Sequence, residues 1–291
     1  MTKIFSKDDG IFQLPDGRIL SYSTYGNPKG KPVFFFHGIP GTRLQRSPDL
    51  SIFEKLPFLV YALDRPGYGN STFQKNRKLL DWPLDVAAFA EGMGINQFGV
   101  IGISGGGPYA LATAYKIPDR LNHATVISGL APLTVHENLS QFSTGGRLLF
   151  RAAETIPHFV RGLFSLLFKQ LDIQLDAAFQ KFMTDLPETD RRLLTDPTNA
   201  KLFKKDVAEA FKQGTQGVVA DIAILMQPWD FSLEDISTPV HVWHGTADTI
   251  VPFSLGKYVI DHLPHAIPHI VEGGGHFMAI EMMDKIFEAI L

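Results

Sequence analysis

Apolar runs without polar alternation recur along the chain at residues 33–36, 58–63, 98–103, 124–128, 240–243 and 267–271. A strand covered on both faces reads this way, because neither set of alternating side chains meets water. Segments of helical period lie between them, among them 84–93 and 108–115. Strand and helix alternating in this order predict right-handed crossovers and an α/β fold, with a mostly parallel central sheet and helices on both faces. Ahead of the first run, two short alternating stretches between residues 11 and 25 flank Pro15-Asp16-Gly17-Arg18, whose Asp-Gly pair signals a hairpin. An antiparallel edge therefore opens the sheet and brings the expected strand count to eight.

The alternation breaks between residues 134 and 230. Every apolar pattern there has helical period, with helices expected at 147–153, 159–168, 171–182, 200–211 and 217–225. This stretch is predicted to be an α-helical cap inserted after the sixth strand, with 1–133 and 231–291 forming one core. No internal repeat or Pro-rich linker separates the two.

Composition narrows the chemistry. Among 291 residues, 45% are hydrophobic and 20% charged, enough to bury a sizeable core. The net charge is only −3, and no Lys/Arg block is longer than a pair, so neither nucleic acid nor an anionic membrane is expected as a partner. Acidic residues stand where a signal peptide would be apolar, and the longest apolar run, 217–226, is half of what a bilayer span needs. A cytoplasmic protein without membrane insertion is expected. With zero cysteines, disulfides and thiol chemistry are excluded, and Ser, His, Asp, Glu or Lys must supply any catalytic group.

The densest candidate is Gly102-Ile103-Ser104-Gly105-Gly106-Gly107, directly after an apolar strand and before a helix. A strand-to-helix turn this tight needs glycines around the serine, lifts its hydroxyl clear of the sheet, and points N–H groups at any oxyanion formed there. Glycine-rich turns also bind phosphate, but here a Walker lysine and Rossmann spacing are both missing. A serine needs a general base and a group to orient that base. Of ten histidines, His276 follows Gly273-Gly274-Gly275 beyond the last strand, at the carboxyl edge where ligands gather in open α/β sheets. His262, His265 and His269 fall toward the opposite edge, and His123, His136 and His158 read as surface or core residues. Asp248 lies just past the strand at 240–243. The order Ser104, Asp248, His276 matches one of the known triad orders.

His37-Gly38-Ile39-Pro40-Gly41 follows the strand at 33–36. Its Ile39 N–H is the natural second oxyanion donor beside that of Gly105, while His37 suits a loop-bracing hydrogen bond better than a second base. Asp64-Arg65-Pro66-Gly67-Tyr68-Gly69-Asn70-Ser71 reads as a turn-rich loop in which Asp64 or Ser71 caps backbone N–H groups. Asp64 is an alternative triad acid, and Asp230 a further one.

Together His37-Gly38, residues 64–71, the Ser104 turn, Asp248 and His276 resemble the α/β-hydrolase fold superfamily in its capped form, common among esterases and lactonases. The likeness spans nearly the whole chain. Haloalkane dehalogenases and soluble epoxide hydrolases carry aspartate where this chain has Ser104. Proline iminopeptidases share the HG-x-PG loop, but usually have Gly where Ile39 stands and Trp where Gly105 stands. The resemblance implies a serine hydrolase acting on a small, largely apolar carboxylic ester, lactone or thioester. Ser104 would be the nucleophile, His276 the base, Asp248 its orienting acid, and the Ile39 and Gly105 amides the oxyanion hole, with no metal or organic cofactor. An acyltransferase or perhydrolase, an iminopeptidase-like peptidase and a slow-turnover ligand-binding receptor remain open on the same residues, as does the oligomeric state. Nine of the 23 phenylalanines fall in the insertion, suggesting either an apolar lid or the insertion's own core.

Overall fold

The computed structural model describes residues 5–142, 144–156, 159–160, 162–163, 177 and 179–291. Strands β1 (Phe5–Gln13), β2 (Ile19–Gly26), β3 (Lys31–Phe36), β4 (Phe58–Leu63), β5 (Phe98–Ile103), β6 (Leu121–Ile127), β7 (Val240–Gly245) and β8 (Ala266–Val271) form one eight-stranded sheet. Their order is β1-β2-β4-β3-β5-β6-β7-β8. β2 pairs antiparallel with β1 and β4, and every other pairing is parallel. The β1–β2 hairpin turns at Asp16-Gly17 as expected, where the Leu14 N–H donates to Arg18 O at 2.8 Å.

The unbroken apolar run of β3 follows from coverage on two sides. Phe34 and Phe36 enter one buried layer with Phe98 and Val100, under the helices Trp82–Gly92, Gly107–Lys116 and Phe253–His262. Val33 and Phe35 enter the opposite layer with Ile101 and Trp243, under the helix Ala279–Glu288. Phe34 stacks on Phe98 with ring centroids 4.3 Å apart. β8 departs from expectation: its side chains are half-buried or exposed, with Ile267 and Ile270 open to solvent. It is the edge of the sheet, and a β-branched run reports strand preference without reporting what covers the strand.

Between β6 and β7 all described regular structure is helical: His136–Ser140, Thr144–Thr155, residues 179–185, Glu188–Thr195, Pro197–Ala210 and Gln216–Leu225. The helices expected at 159–168 and 171–182 fall largely outside the described residues, as does His158. Glu188–Thr195 was not expected from period, being short and rich in charge. Pro197–Ala210 starts three residues earlier than expected. Asp196 accepts the N–H groups of Thr198 (2.9 Å) and Asn199 (3.1 Å), and Pro197 opens the helix. Among the described residues no helix is long and apolar enough to cross a membrane.

Carboxylates seat this segment on the sheet. Asp221, fully buried, accepts Arg65 Nε (2.8 Å), Tyr68 OH (2.9 Å), Tyr109 OH (2.6 Å) and Arg77 Nη2. Burial alone would raise its pKa; the Arg65 and Arg77 charges and the Tyr109 hydroxyl outweigh burial and hold it below the usual carboxylate range. Asp206 accepts the Thr42 N–H (2.8 Å) and hydroxyl (2.5 Å), and Glu209 pairs with Arg43 at 2.8 Å. Burial pushes the Asp206 carboxyl up to about 8.

Two outcomes are expected. Asp221→Asn leaves the buried guanidiniums of Arg65 and Arg77 short of counter-charge, and urea denaturation should show a loss of about 3–5 kcal/mol. Asp206 holds a proton in the folded state that the unfolded chain has already released. The stabilisation it brings is complete below its ordinary value of 3.8 and is lost as pH rises through about 8. Urea midpoints measured across that window should fall less steeply for Asp206→Asn than for wild type; parallel curves would show that Asp206 does not titrate in it.

Candidate active site

Ser104 directly follows β5 and turns the chain into the helix Gly107–Lys116 with a left-handed φ of 53°. The turn is held against the neighbouring strand: a Cβ at Gly106 would collide with the carbonyl oxygen of Phe36, so no side chain fits there. Asp248 lies three residues past β7 and His276 five past β8. Both stand at the carboxyl ends of parallel strands, as does the loop after β3.

The three side chains meet. His276 Nε2 lies 3.1 Å from Ser104 Oγ, and its Nδ1 lies 2.8 Å from Asp248 Oδ2. The other oxygen, Asp248 Oδ1, accepts the N–H groups of Ile250 (2.9 Å) and Val251 (2.8 Å), which hold the carboxylate against the ring it faces. His276 and Asp248 are nearly buried, while Ser104 is half-exposed at a cavity. A hydroxyl, an imidazole and a carboxylate linked in this order can pass the serine proton to the ring as the oxygen attacks an electrophile.

The loop after β3 passes beside the serine. Ser104 Cβ is the nearest side-chain atom to where a Gly38 Cβ would stand, at 3.4 Å, and Ile39 packs over Gly105. Arg65 holds this loop by both carbonyls, donating Nη1 to His37 O at 2.5 Å and Nη2 to Gly38 O at 2.9 Å. His37 is a brace. Its Nε2 accepts the Arg65 N–H at 3.2 Å, so its proton sits on Nδ1 and points to Gly38 O at 2.8 Å. Burial and the adjacent Arg65 charge hold its pKa well below the ordinary histidine value.

The alternative acids are elsewhere. Asp64 is buried on Ser21 Oγ (2.6 Å) and on the backbone N–H (2.5 Å) and guanidinium (2.8 Å) of Arg43, so it caps the loop after β3 and not its own turn. Asp230 is exposed, 3.6 Å from Lys78.

Sequence reasoning overlooked several residues. Gln45 Oε1 accepts the Gly38 N–H at 2.7 Å, and Arg65 clamps two carbonyls. Asp190, from the segment between β6 and β7, accepts the backbone N–H groups of His276 and Phe277. Arg65 and Asp190 meet partners remote in sequence, and Gln45 bonds within its own loop, where no local pattern marks a glutamine.

Ser104 and His276 open onto a cavity of about 320 Å³, walled by Ile39, Phe179, Phe182, Phe203, Ile250 and Phe277, with Lys204 at its side. The Lys204 ammonium lies 4.8 Å from the Phe179 ring centroid. A smaller cavity of about 80 Å³ lies behind Gln45, Phe203 and Phe277. Of the nine insertion phenylalanines, Phe179, Phe182 and Phe203 wall the larger cavity while also packing among themselves and with Phe277. Phe159 faces solvent, and Phe164 and Phe168 lie outside the described residues.

Known proteins share this arrangement of chain. A bifunctional esterase/perhydrolase of Acinetobacter calcoaceticus is 30% identical over 254 residues, 84% of each chain. A probable proline iminopeptidase of Leptolyngbya boryana is 26% identical over 92% of this chain and 88% of its own. Among solved structures, an esterase from Exiguobacterium antarcticum superposes with a TM-score of 0.67 at 16% identity, covering 96% of this chain and 97% of its own. The family profile of the alpha/beta hydrolase fold matches residues 31–282, and the chain belongs to that family of enzymes.

Proposed function

We propose that the protein is a serine hydrolase that cleaves a small, largely apolar carboxylic ester through an acyl-enzyme on Ser104, with residues 134–230 serving as a cap over the site. The carrying observation is the continuous hydrogen-bonded line from Ser104 through His276 to Asp248, opening onto an aromatic-walled cavity. Ser104 Oγ attacks the ester carbonyl carbon while its proton passes to His276 Nε2, and Asp248 supports the imidazolium that forms. The carbonyl oxygen becomes an anion facing the N–H groups of Ile39 and Gly105. Collapse breaks the bond to the leaving oxygen, which takes the proton from His276 and departs as alcohol. Water then gives a proton to His276 and attacks the acyl carbon, releasing the acid and free Ser104. The rings of Phe179, Phe182 and Phe203 exclude bulk water from these steps and favour apolar acyl or alkyl groups.

The relative named an esterase/perhydrolase favours a second reading on the same triad. Hydrogen peroxide in place of water would release a peracid from the same acyl-enzyme. The iminopeptidase reading is weaker chemically. A substrate with a free amine calls for a carboxylate in the binding cavity, and the described lining offers Lys204 and no Asp or Glu.

The wild type is expected to hydrolyse short p-nitrophenyl esters and to be labelled by a fluorophosphonate. Ser104→Ala should lose label and at least ~10³-fold in rate. A wild type inert to esters of every chain length and unlabelled overturns the hydrolase reading in favour of a binding role. In Asp248→Asn the amide oxygen can keep the Ile250 and Val251 N–H groups, turning its NH₂ toward His276 and imposing the wrong tautomer. A fall in kcat of about 10³–10⁴ with an unchanged circular dichroism spectrum is expected; full activity would move the role to another carboxylate.

A further inference from the structure

We propose that Asp190 is a positioning residue through which the segment between β6 and β7 sets the place of His276. The inference rests on the triad reading above. Asp190 sits in the first turn of the helix Glu188–Thr195 and is fully buried. Its two oxygens divide between successive amides, Oδ2 accepting the His276 N–H at 2.9 Å and Oδ1 the Phe277 N–H at 2.8 Å. A bidentate grip on two adjacent N–H groups fixes the peptide plane from which the imidazole departs. The approach is close enough to dictate the preceding residue: a Cβ at Gly275 would overlap the Asp190 carboxylate, so the third glycine of the run serves this contact.

Charge gives the contact a second consequence. Among the described residues no lysine or arginine pairs with Asp190. The groups acting on it are its two amide donors, His276, which favours its ionised form, and Asp248, which opposes it. Burial pushes the Asp190 carboxyl up, and the two amides pull it back. The cation that can form beside it is the His276 imidazolium of the catalytic cycle. The groups facing His276 are then Asp248 on Nδ1, Asp190 on its backbone and His244, whose Nε2 is 3.5 Å from Asp248 and whose burial keeps it below the ordinary histidine pKa. Asp190 and Asp248 favour the imidazolium, and His244 in its neutral form leaves that balance undisturbed. Removing the Asp190 carboxylate loosens the backbone that aims the imidazole at Ser104 and takes away an anion near the imidazolium, so turnover suffers while substrate binding does not.

The test is the steady-state kinetics of ester hydrolysis by Asp190→Asn, with concentrations normalised by fluorophosphonate titration of Ser104. Expected is a fall in kcat per titrated site of about tenfold with KM within about twofold, as for a displaced catalytic group. A purely structural latch would reduce the titratable fraction or the unfolding midpoint while leaving kcat per titrated site unchanged, and that result overturns the proposal. Should Asp190→Asn fail to fold, Gly275→Ala displaces the carboxylate with its charge retained. A lower kcat per titrated site with KM little changed supports the proposal, and wild-type kinetics overturn it. Retained activity in Ser104→Ala would sink the triad reading itself, an outcome separate from either result at Asp190.

Discussion

The contact on which the site most depends lies away from the reacting atoms. Arg65 holds the carbonyls of His37 and Gly38, and so sets the path of the loop that carries Ile39 beside Ser104. A guanidinium with no exposed surface is tolerated only if its charge is matched, and Asp221 supplies the match from the helix Gln216–Leu225. The same carboxylate takes Tyr109 from the helix that begins at the serine turn and Arg77 from the chain after β4. One buried anion therefore ties together the loop after β3, the serine helix and the segment between β6 and β7. Because its four donors come from three parts of the chain, the loop after β4, Arg77 beyond it and the serine helix, displacing any one leaves buried groups unpaired.

Around that hub the molecule divides its work by polarity. The sheet edge supplies rigid placement: Ser104, Asp248 and His276 each leave a parallel strand within five residues, so their separations are set by strand spacing. The segment between β6 and β7 supplies both apolar walls, from Phe179, Phe182 and Phe203, and buried acids. Asp190, Asp206 and Asp221 come from three successive helices and reach, respectively, the His276 loop, the loop after β3 and the Arg65 cluster. The walls are aromatic and the anchors are hydrogen-bonded carboxyl groups, so the segment is held in register by directional bonds while its rings shape the cavity.

Much of this was legible in the chain itself. The apolar runs located the parallel strands because burial on both faces removes alternation, and the glycines around Ser104 marked the turn because nothing larger fits under the Phe36 carbonyl. Asp248 and His276 could be read from their places just beyond strands. The edge exposure of β8 was hidden, since Ile267 and Ile270 satisfy strand preference whether or not anything covers them. The acids between β6 and β7 were hidden for another reason. The 11 basic and 12 acidic residues of 134–230 look like a balanced solvated surface. What makes Asp190, Asp206 and Asp221 different is the partner each meets across the fold, and pairings between distant parts of a chain leave no local period or motif. Arg65 escaped notice on the same grounds, and Gln45 because its bond to Gly38 within one loop follows no motif.

The wall between the two cavities is shared by Phe203, from the helix Pro197–Ala210, and Phe277, the neighbour of His276, whose rings meet edge to face at 5.7 Å. Phe277 also stands edge-on to the His276 imidazole at 5.4 Å. In the proposed mechanism a substrate too bulky for the larger cavity presses on a ring attached to the general base. Such a molecule would bind and then stall, since the room it needs is taken from the alignment of His276 with Ser104. On that mechanism size discrimination would be exercised in turnover more than in affinity, and an oversized ester would act as a competitive inhibitor of its smaller relatives.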